Sequence, residues 1–143
     1  DGCRTPMVWQ ANEVNAGFST GKPWLPVCAE QSQQAVDIQE SDEDSLLKFF
    51  RKTIALRKAL PVLQTGTQIS MEVKGELLSF IREDDSNYLY CAFNLSDEVL
   101  EFSLPGGSWQ NINQNMGKLC INPIESNKLG PWQFCFALKN TNN

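Results

Sequence analysis

Carboxylates are the side chains in this sequence with the greatest capacity for chemistry. They cluster at residues 40–44, 83–85 and 97–98. A pair of carboxylates, one protonated and one ionised, is a common arrangement for general acid–base catalysis. The first cluster stands where a helix is predicted to begin and the other two stand in predicted turns. We therefore interpret all three as capping or solvated charges rather than as a catalytic pair.

The other common catalytic groups are missing or badly spaced. The chain has no histidine, which excludes Ser–His and Cys–His nucleophiles and argues against a zinc site. No glycine-rich loop follows a predicted strand in the pattern that cradles phosphates. No catalytic residue, metal or cofactor is therefore predicted.

Five cysteines are present and none forms a CxxC pair, so their spacing predicts no disulfide framework. Two of them fall inside strand-like runs and are expected to be buried free thiols. This favours a reducing compartment and a cytoplasmic location. The five are Cys3, Cys28, Cys91, Cys120 and Cys135.

Net charge and hydropathy restrict the partners. The formal net charge of −5 and the pI near 4.7 argue against nucleic acid and against an anionic membrane surface. No apolar run approaches the roughly 20 residues that a membrane span requires. The 143 residues suffice for one domain with a buried core. The first residue is Asp1 rather than methionine, from which we expect a piece of a longer protein.

Aromatic side chains offer a second candidate site. Tyr88 and Tyr90 share one face of a predicted strand, and Trp109 lies near a predicted turn. Rings placed in this way can stack on sugars, but they can equally pack in the core or on the sheet. Both readings stay open. Asn94 also begins a triplet that matches a glycosylation acceptor, which matters only in a secreted protein.

Residues 42–60 contain the strongest helical pattern in the chain. Ser41 or Asp42 is expected to cap its start, and Pro61 to end it. The apolar arc is wider than a helix resting on one sheet needs, so we expect neighbours on two sides, only one of which this chain supplies. The arc comprises Leu46, Leu47, Phe49, Phe50, Thr53, Ile54, Leu56 and Leu60.

The segments on either side of this helix differ in character. Residues 1–40 have no sustained period and many prolines and glycines, which predicts a long extended loop. After the helix the period becomes two, which predicts six or seven short antiparallel strands in a sandwich or barrel. The predicted strands are 69–73, 77–82, 88–94, 99–104, 109–112, 118–121 and 132–139, with 88–94 central.

Three stretches, in the same order, resemble the α-glucosidase branch of the α-amylase superfamily. DGCRTPMVW at residues 1–9 resembles the signature RDxxRTPMxW. NAGFSTGKPWLPV at residues 15–27 is similar to the stretch that follows it in that family. DSLL at 44–47, with residues 52–58, is similar to the family's DSLLxFYRKLIALRK helix.

The resemblance implies an architecture for the whole chain. Members of that family have a (β/α)₈ barrel followed by a small antiparallel β-sandwich. Residues 1–40 would be the loop after the last barrel strand, 41–60 the last barrel helix, and 66–143 the C-terminal β-sandwich. The chain would therefore be mainly β.

The resemblance also implies a function. The family hydrolyses α-glucosidic bonds with retention, using carboxylates that lie upstream of the matching segment. Arg4 aligns with the arginine that helps hold the terminal glucose in the intact enzyme. The implied partners are the missing barrel and α-glucoside oligosaccharides, and the chain alone is expected to be inactive.

Two further expectations follow. Uncovered apolar surface on the helix, with Trp9, Phe18 and Trp24, is expected to drive self-association. The alternative hypothesis is a self-standing carbohydrate-binding β-sandwich that uses Tyr88, Tyr90 or Trp109.

Overall fold

The computed structural model describes residues 2–112, 116–117 and 120–141. The chain forms two compact units, Asp1–Arg51 and Lys52–Asn143. Within the described residues no helix is both long and apolar enough to cross a membrane.

The first unit is built mainly from loops. It contains two 3₁₀ turns, Gly2–Arg4 and Val14–Gly17, and two short helices, α1 (Ala29–Ser32) and α2 (Val36–Ser41). The sequence predicted only extended chain here, because helices this short show no apolar period. Local hydrogen bonds form them instead: at the start of α1, for example, the Cys28 N–H donates to Gln31 Oε1 at 3.2 Å.

The core of this unit is small. Val8, Ala16 and Ala35 are buried together, and Ala11 and Val27 pack against them. Side chains of this size let three segments of main chain approach closely, which is what allows hydrogen bonds between residues distant in sequence.

The main helix, α3, spans Leu46–Ala59. It begins four residues later than predicted, and the prediction of Ser41 or Asp42 as its cap is wrong. The Ser45 hydroxyl accepts a hydrogen bond from the Lys48 N–H at 3.3 Å and is the capping group. Asp42 instead forms a turn, accepting from the Asp44 N–H at 2.9 Å.

No residue of α3 is buried. Leu46, Phe50 and Ile54 recur every four residues and therefore lie on one face of the helix. Their exposures are 75%, 60% and 39%. The helix thus presents an apolar face to solvent, as expected of an element that lacks a neighbour.

The second unit opens with a short helix, α4 (Pro61–Gln64), whose first residue is the proline predicted to end the preceding helix. A five-stranded antiparallel sheet follows, in the order β1-β2-β3-β7-β5, and a two-stranded sheet pairs β4 with β6. The seven described strands are β1 Thr67–Lys74, β2 Leu77–Glu83, β3 Asn87–Asn94, β4 Leu100–Glu101, β5 Gln110–Asn111, β6 Lys128–Leu129 and β7 Phe134–Asn140.

The prediction of a mainly β, antiparallel fold is confirmed. Strand β3 is central, as predicted, and pairs with β2 on one side and β7 on the other. Strand β1 lies at the edge of the sheet, and all its residues are exposed. Its register shifts between Gln68 and Ser70, which places a bulge at Ile69.

The five-stranded sheet has an apolar core on each face. One core joins the sheet to the segments around β4 and β6, and the other joins it to α4. The first contains Leu77, Tyr90, Ala92, Phe102, Leu129, Cys135 and Ala137. The second contains Val62, Leu89 and Cys91, with partly buried Leu60, Leu63, Phe80, Phe93, Ile112, Phe136 and Leu138.

Several strand boundaries differ from the predictions. The predicted strand 99–104 pairs over only two residues, and β6 was not predicted. Strand β7 begins at Phe134 because Trp132 has φ of +59°, which interrupts extended backbone. Part of the predicted strand 118–121 lies outside the described residues, although Cys120 forms an isolated parallel bridge with Phe134.

Candidate functional site

Arg4 is the residue to which the family resemblance assigned a binding role. It ends the first 3₁₀ turn and its side chain is exposed. The next residue is fixed by a hydrogen bond, because Gln31 Nε2 donates to Thr5 Oγ1 at 3.0 Å. Pro6 is buried. The arginine therefore projects from a main chain that its neighbours hold in place.

Main-chain hydrogen bonds join this segment to α2. The Val36 N–H donates to the Val8 carbonyl, and the Asp37 N–H donates to the Trp9 carbonyl, each at 3.1 Å. The Asp37 carboxylate accepts from the Ala11 N–H, with its two oxygens at 3.1 and 3.2 Å. The motif around Arg4 and the helix α2, about thirty residues apart in sequence, thus form one structural element.

A left-handed turn lies beside this segment. Asn15, Ala16 and Gly17 have φ of 50°, 52° and 69°. This conformation is costly for an alanine, and burial holds it in place. The Ala16 carbonyl accepts from both the Trp9 N–H at 2.9 Å and the Gln10 N–H at 3.1 Å. The turn thereby positions the loop that follows it.

Residues 19–21 are fixed by the same turn. Asn15 Nδ2 donates to the Ser19 carbonyl at 2.8 Å and to the Gly21 carbonyl at 2.9 Å. By donating to two main-chain carbonyls, the Asn15 amide holds the loop in one conformation. The residues that resemble the family stretch NAGFSTGKPW are therefore arranged by their first asparagine.

Two open clefts flank this loop. We call the first the Trp24 cleft; it has a volume of about 470 Å³, and its lining includes Glu13, Asn15, Lys22 and Trp24. Trp24 is 87% exposed. The second cleft, of about 650 Å³, is lined by Gln10, Glu13, Val14, Gly17, Phe18, Ser19 and Thr20. The sequence did not predict either cleft as a site, and their only signal was the stretch at residues 15–27.

Two of the three acidic clusters, those at residues 40–44 and 83–85, have side-chain partners. Glu40 forms an ion pair with Arg51 at 2.6 Å, and the hydrogen bond from this guanidinium lowers the pKa of the Glu40 carboxyl. Asp84 Oδ1 accepts from the Ser86 and Asn87 N–H groups at 2.9 and 2.8 Å, which closes a turn. Among the described residues no group of three or more His, Cys, Asp or Glu side chains converges to hold a metal ion.

The aromatic candidates do not form an open platform. Tyr90 is 4% exposed, with its ring stacked on Phe102 at 6.3 Å between centroids. The Lys139 ammonium lies over both other rings, 5.1 Å from the centroid of Tyr88 and 5.4 Å from that of Trp109. A lysine therefore already covers one face of each of these rings, where a sugar could otherwise stack.

Asn94, the first residue of the possible glycosylation triplet, is 2% exposed. Its amide nitrogen donates to three main-chain carbonyls, and its oxygen accepts from the N–H and the hydroxyl of Ser96. In the folded unit this amide is a structural group and is not accessible for modification.

The sequence of these loops matches a known protein family. Residues 1–66 match the family described as the alpha amylase catalytic domain. A probable alpha-glucosidase from Rhizobium meliloti (strain 1021) is 43% identical over 105 residues, which is 73% of this chain and 19% of that protein. The chain is therefore similar to proteins of the α-amylase family.

Further relatives extend the similarity beyond residue 66. Oligo-1,6-glucosidase of Heyndrickxia coagulans is 34% identical over 116 residues, covering 80% of the chain and 21% of that protein. The crystal structure of the alpha-glucosyl transfer enzyme XgtA superposes with a TM-score of 0.82 at 35% identity, covering 96% of this chain and 26% of that one. The chain thus spans about a fifth to a quarter of the length of these relatives.

Proposed function

We propose that this chain is the C-terminal part of a retaining α-glucosidase that releases terminal α-linked glucose from oligosaccharides. The observation that carries the proposal is that 96% of the chain superposes on 26% of an alpha-glucosyl transfer enzyme. Several curated relatives are named alpha-glucosidase or oligo-1,6-glucosidase. In this proposal the catalytic carboxylates lie in the preceding barrel, and the chain alone is inactive.

The proposed division of the chain follows the resemblance. Residues 1–40 form the loop after the last barrel strand, 41–60 the last barrel helix, and 66–143 the C-terminal β-sandwich. Two observations support this division. The family match ends at residue 66, next to the start of β1 at Thr67. The apolar face of α3 is exposed, as a barrel helix would be without its barrel.

Arg4 is proposed to hold the terminal glucose in the intact enzyme. A guanidinium offers a rigid fork of donors that suits sugar hydroxyls and carboxylates. The hydrogen bond on Thr5 and the burial of Pro6 fix the main chain beside it. A fixed main chain at Arg4 matters because a small displacement of a substrate-positioning group lowers the reaction rate greatly.

The proposal also specifies the chain's main partner and its cellular location. The missing barrel is the main partner, and in its absence the exposed apolar side chains of α3 are expected to make the chain self-associate. Cytoplasmic location is proposed from the five free cysteines, of which Cys91 and Cys135 are buried.

Hydrolysis of a chromogenic α-glucoside tests the proposal. We expect no turnover by the pure chain, and turnover when it is coexpressed with the preceding barrel. In the intact enzyme Arg4→Lys should lower kcat/KM by roughly 100-fold, because a lysine keeps the charge but loses the fork. Arg51→Lys is the matched control and should leave kcat/KM unchanged. Turnover by the pure chain would refute the proposal.

A self-standing carbohydrate-binding module is the alternative, and it has less support. It requires a sugar to stack on the ring face of Tyr88, Tyr90 or Trp109, whereas Lys139 lies over two of these rings and the ring of Tyr90 is buried against Phe102. Calorimetric titration with maltose tests it. Binding that disappears in Tyr88→Ala would favour the aromatic platform.

A further inference from the structure

A small cleft opens in the second unit beside the edge of the five-stranded sheet. It has a volume of about 180 Å³, and its walls come from β1, β2, β3 and residues 101–103. We call it the Tyr90 cleft. Sites for drug-sized ligands measure about 300–1,000 Å³, so this cleft suits a smaller molecule. At about 30 Å³ per water, it has room for roughly six waters or one small ring.

Two buried hydroxyls form its inner wall. Tyr90 and Ser79 are 4% and 7% exposed, and their side chains share a hydrogen bond. The tyrosine ring is held by Phe102 on one side and by the edge-on ring of Trp109 at 6.1 Å. Burying hydroxyls in an apolar core is costly, and here the pair borders a cleft where it can act as both donor and acceptor.

The outer wall is charged but balanced. Glu72 and Lys74 lie on the same side of β1, because residues two apart in a strand face the same way. Glu101 faces the cleft from β4 and forms an ion pair with Lys128 at 3.4 Å. When Lys128, which lies outside the lining, is counted with its partner Glu101, the two carboxylates and two ammonium groups give a net charge of zero.

We propose that the Tyr90 cleft binds one neutral, polyhydroxylated ring of the size of a single pyranose. The carboxylates accept from sugar hydroxyls, the Lys74 ammonium donates to them, and the Ser79 and Tyr90 hydroxyls do both. The choice of glucose as the pyranose rests on the proposed function. The site itself rests only on groups that the second unit supplies.

Saturation-transfer NMR with methyl α-D-glucopyranoside, followed by titration, tests the proposal on the chain as it stands. We expect saturable binding with a dissociation constant on the order of 1 mM, as suits a ligand of about thirteen heavy atoms. Tyr90→Phe keeps the ring and removes the hydroxyl, and should weaken binding by about fivefold or more. Tyr88→Phe removes a tyrosine hydroxyl outside the cleft and should change nothing.

A second variant tests the proposal without changing a buried residue, so that a loss of binding cannot be due to a disturbed core. Ser103 is exposed at the mouth of the cleft, so Ser103→Phe should block entry and abolish binding while the amide spectrum stays folded. Equal binding by all variants, or no saturation, would overturn the proposal. Binding of ethanolamine in place of the glucoside would also overturn it, because it would assign the cleft to cations.

The two proposals fail separately. If the chain does not bind the glucoside but supports hydrolysis when coexpressed with its barrel, the proposed sugar site in the Tyr90 cleft is refuted and the proposed function stands. A chain whose cleft binds the glucoside, in an intact protein without α-glucosidase activity, would do the reverse.

Discussion

The side-chain amide of Asn94 donates a hydrogen bond of 2.8 Å to the main-chain carbonyl of Gly130. The same nitrogen donates to the Glu98 carbonyl at 2.7 Å and to the Leu129 carbonyl at 3.2 Å. One buried side chain therefore connects the end of the central strand β3 to β6 and to the loop before β4. The second sheet, with its two-residue strands, depends on this connection.

Replacing Asn94 tests that dependence. Asn94→Ala leaves several buried main-chain groups without partners and should lower the free energy of unfolding by about 3 kcal/mol. Asn127→Ala is the matched control, since Asn127 is exposed, and should change it by less than about 0.5 kcal/mol. Urea unfolding followed by fluorescence measures both. Equal losses would show that the amide does not stabilise the second sheet.

The cap of α3 gives a second prediction. The Ser45 hydroxyl accepts from the Lys48 N–H and donates to the Gln39 carbonyl at 2.7 Å. Ser45→Ala should therefore destabilise the helix by about 1 kcal/mol. Ser41→Ala should cost much less, because Ser41 is an exposed residue that ends α2 and does not cap α3. Thermal unfolding monitored at 222 nm compares them, and a larger loss for Ser41→Ala would contradict the assignment.

Association of the chain provides a third prediction. Phe50 is 60% exposed on the apolar face of α3, so Phe50→Glu should abolish self-association by placing a charge there. Ala55 lies on the opposite face of the helix, and Ala55→Glu should leave association unchanged. Sedimentation velocity over a range of concentrations gives the result. A wild-type chain that stays monomeric throughout would remove the basis for this prediction.

The buried thiols predict alkaline sensitivity. Burial raises the pKa of Cys91, Cys120 and Cys135 to about 12, from an ordinary value of 9.0. A raised pKa means that the folded state holds these protons more tightly than the unfolded state does. The resulting stability is complete below pH 9 and is lost as the pH rises toward 12.

Two measurements check this sensitivity. The free energy of unfolding should fall between pH 9 and pH 11, and it should fall less steeply in Cys135→Ala. At neutral pH a thiol reagent should modify the exposed Cys3 and Cys28 quickly and the buried Cys91 and Cys135 only on unfolding. Rapid modification of all five cysteines in the folded chain would contradict the burial on which the prediction depends.

The sequence predicted the parts of the fold that have a strong local signal. Strands β1, β2 and β3 were located to within about two residues, because alternating apolar residues and polar turns bound them. Strands β4 and β6 pair over two residues each, which is too short for any period. The cap of α3 was missed because residues 41–45 offer several suitable oxygens, and contact with Gln39 selects among them.

The candidate sites depended on different information. Arg4 came from the resemblance alone, since an isolated arginine has no distinguishing local pattern. The Tyr90 cleft was not predicted at all, because Glu72, Ser79 and Glu101 lie on different strands and only their pairing brings them together. Burial of Asn94, likewise, follows from its tertiary hydrogen bonds and not from its triplet.

Strand β1 has β2 on one side, and no further strand borders its other side within the described residues. An extended segment of another molecule can pair with this free edge, and the exposed apolar side chains of Met71 and Val73 would stabilise that pairing. The bulge at Ile69, with the charges of Glu72 and Lys74, works against it. This edge strand therefore promotes fibril formation during refolding at high concentration, and the bulge opposes it by disturbing the pairing of the edge.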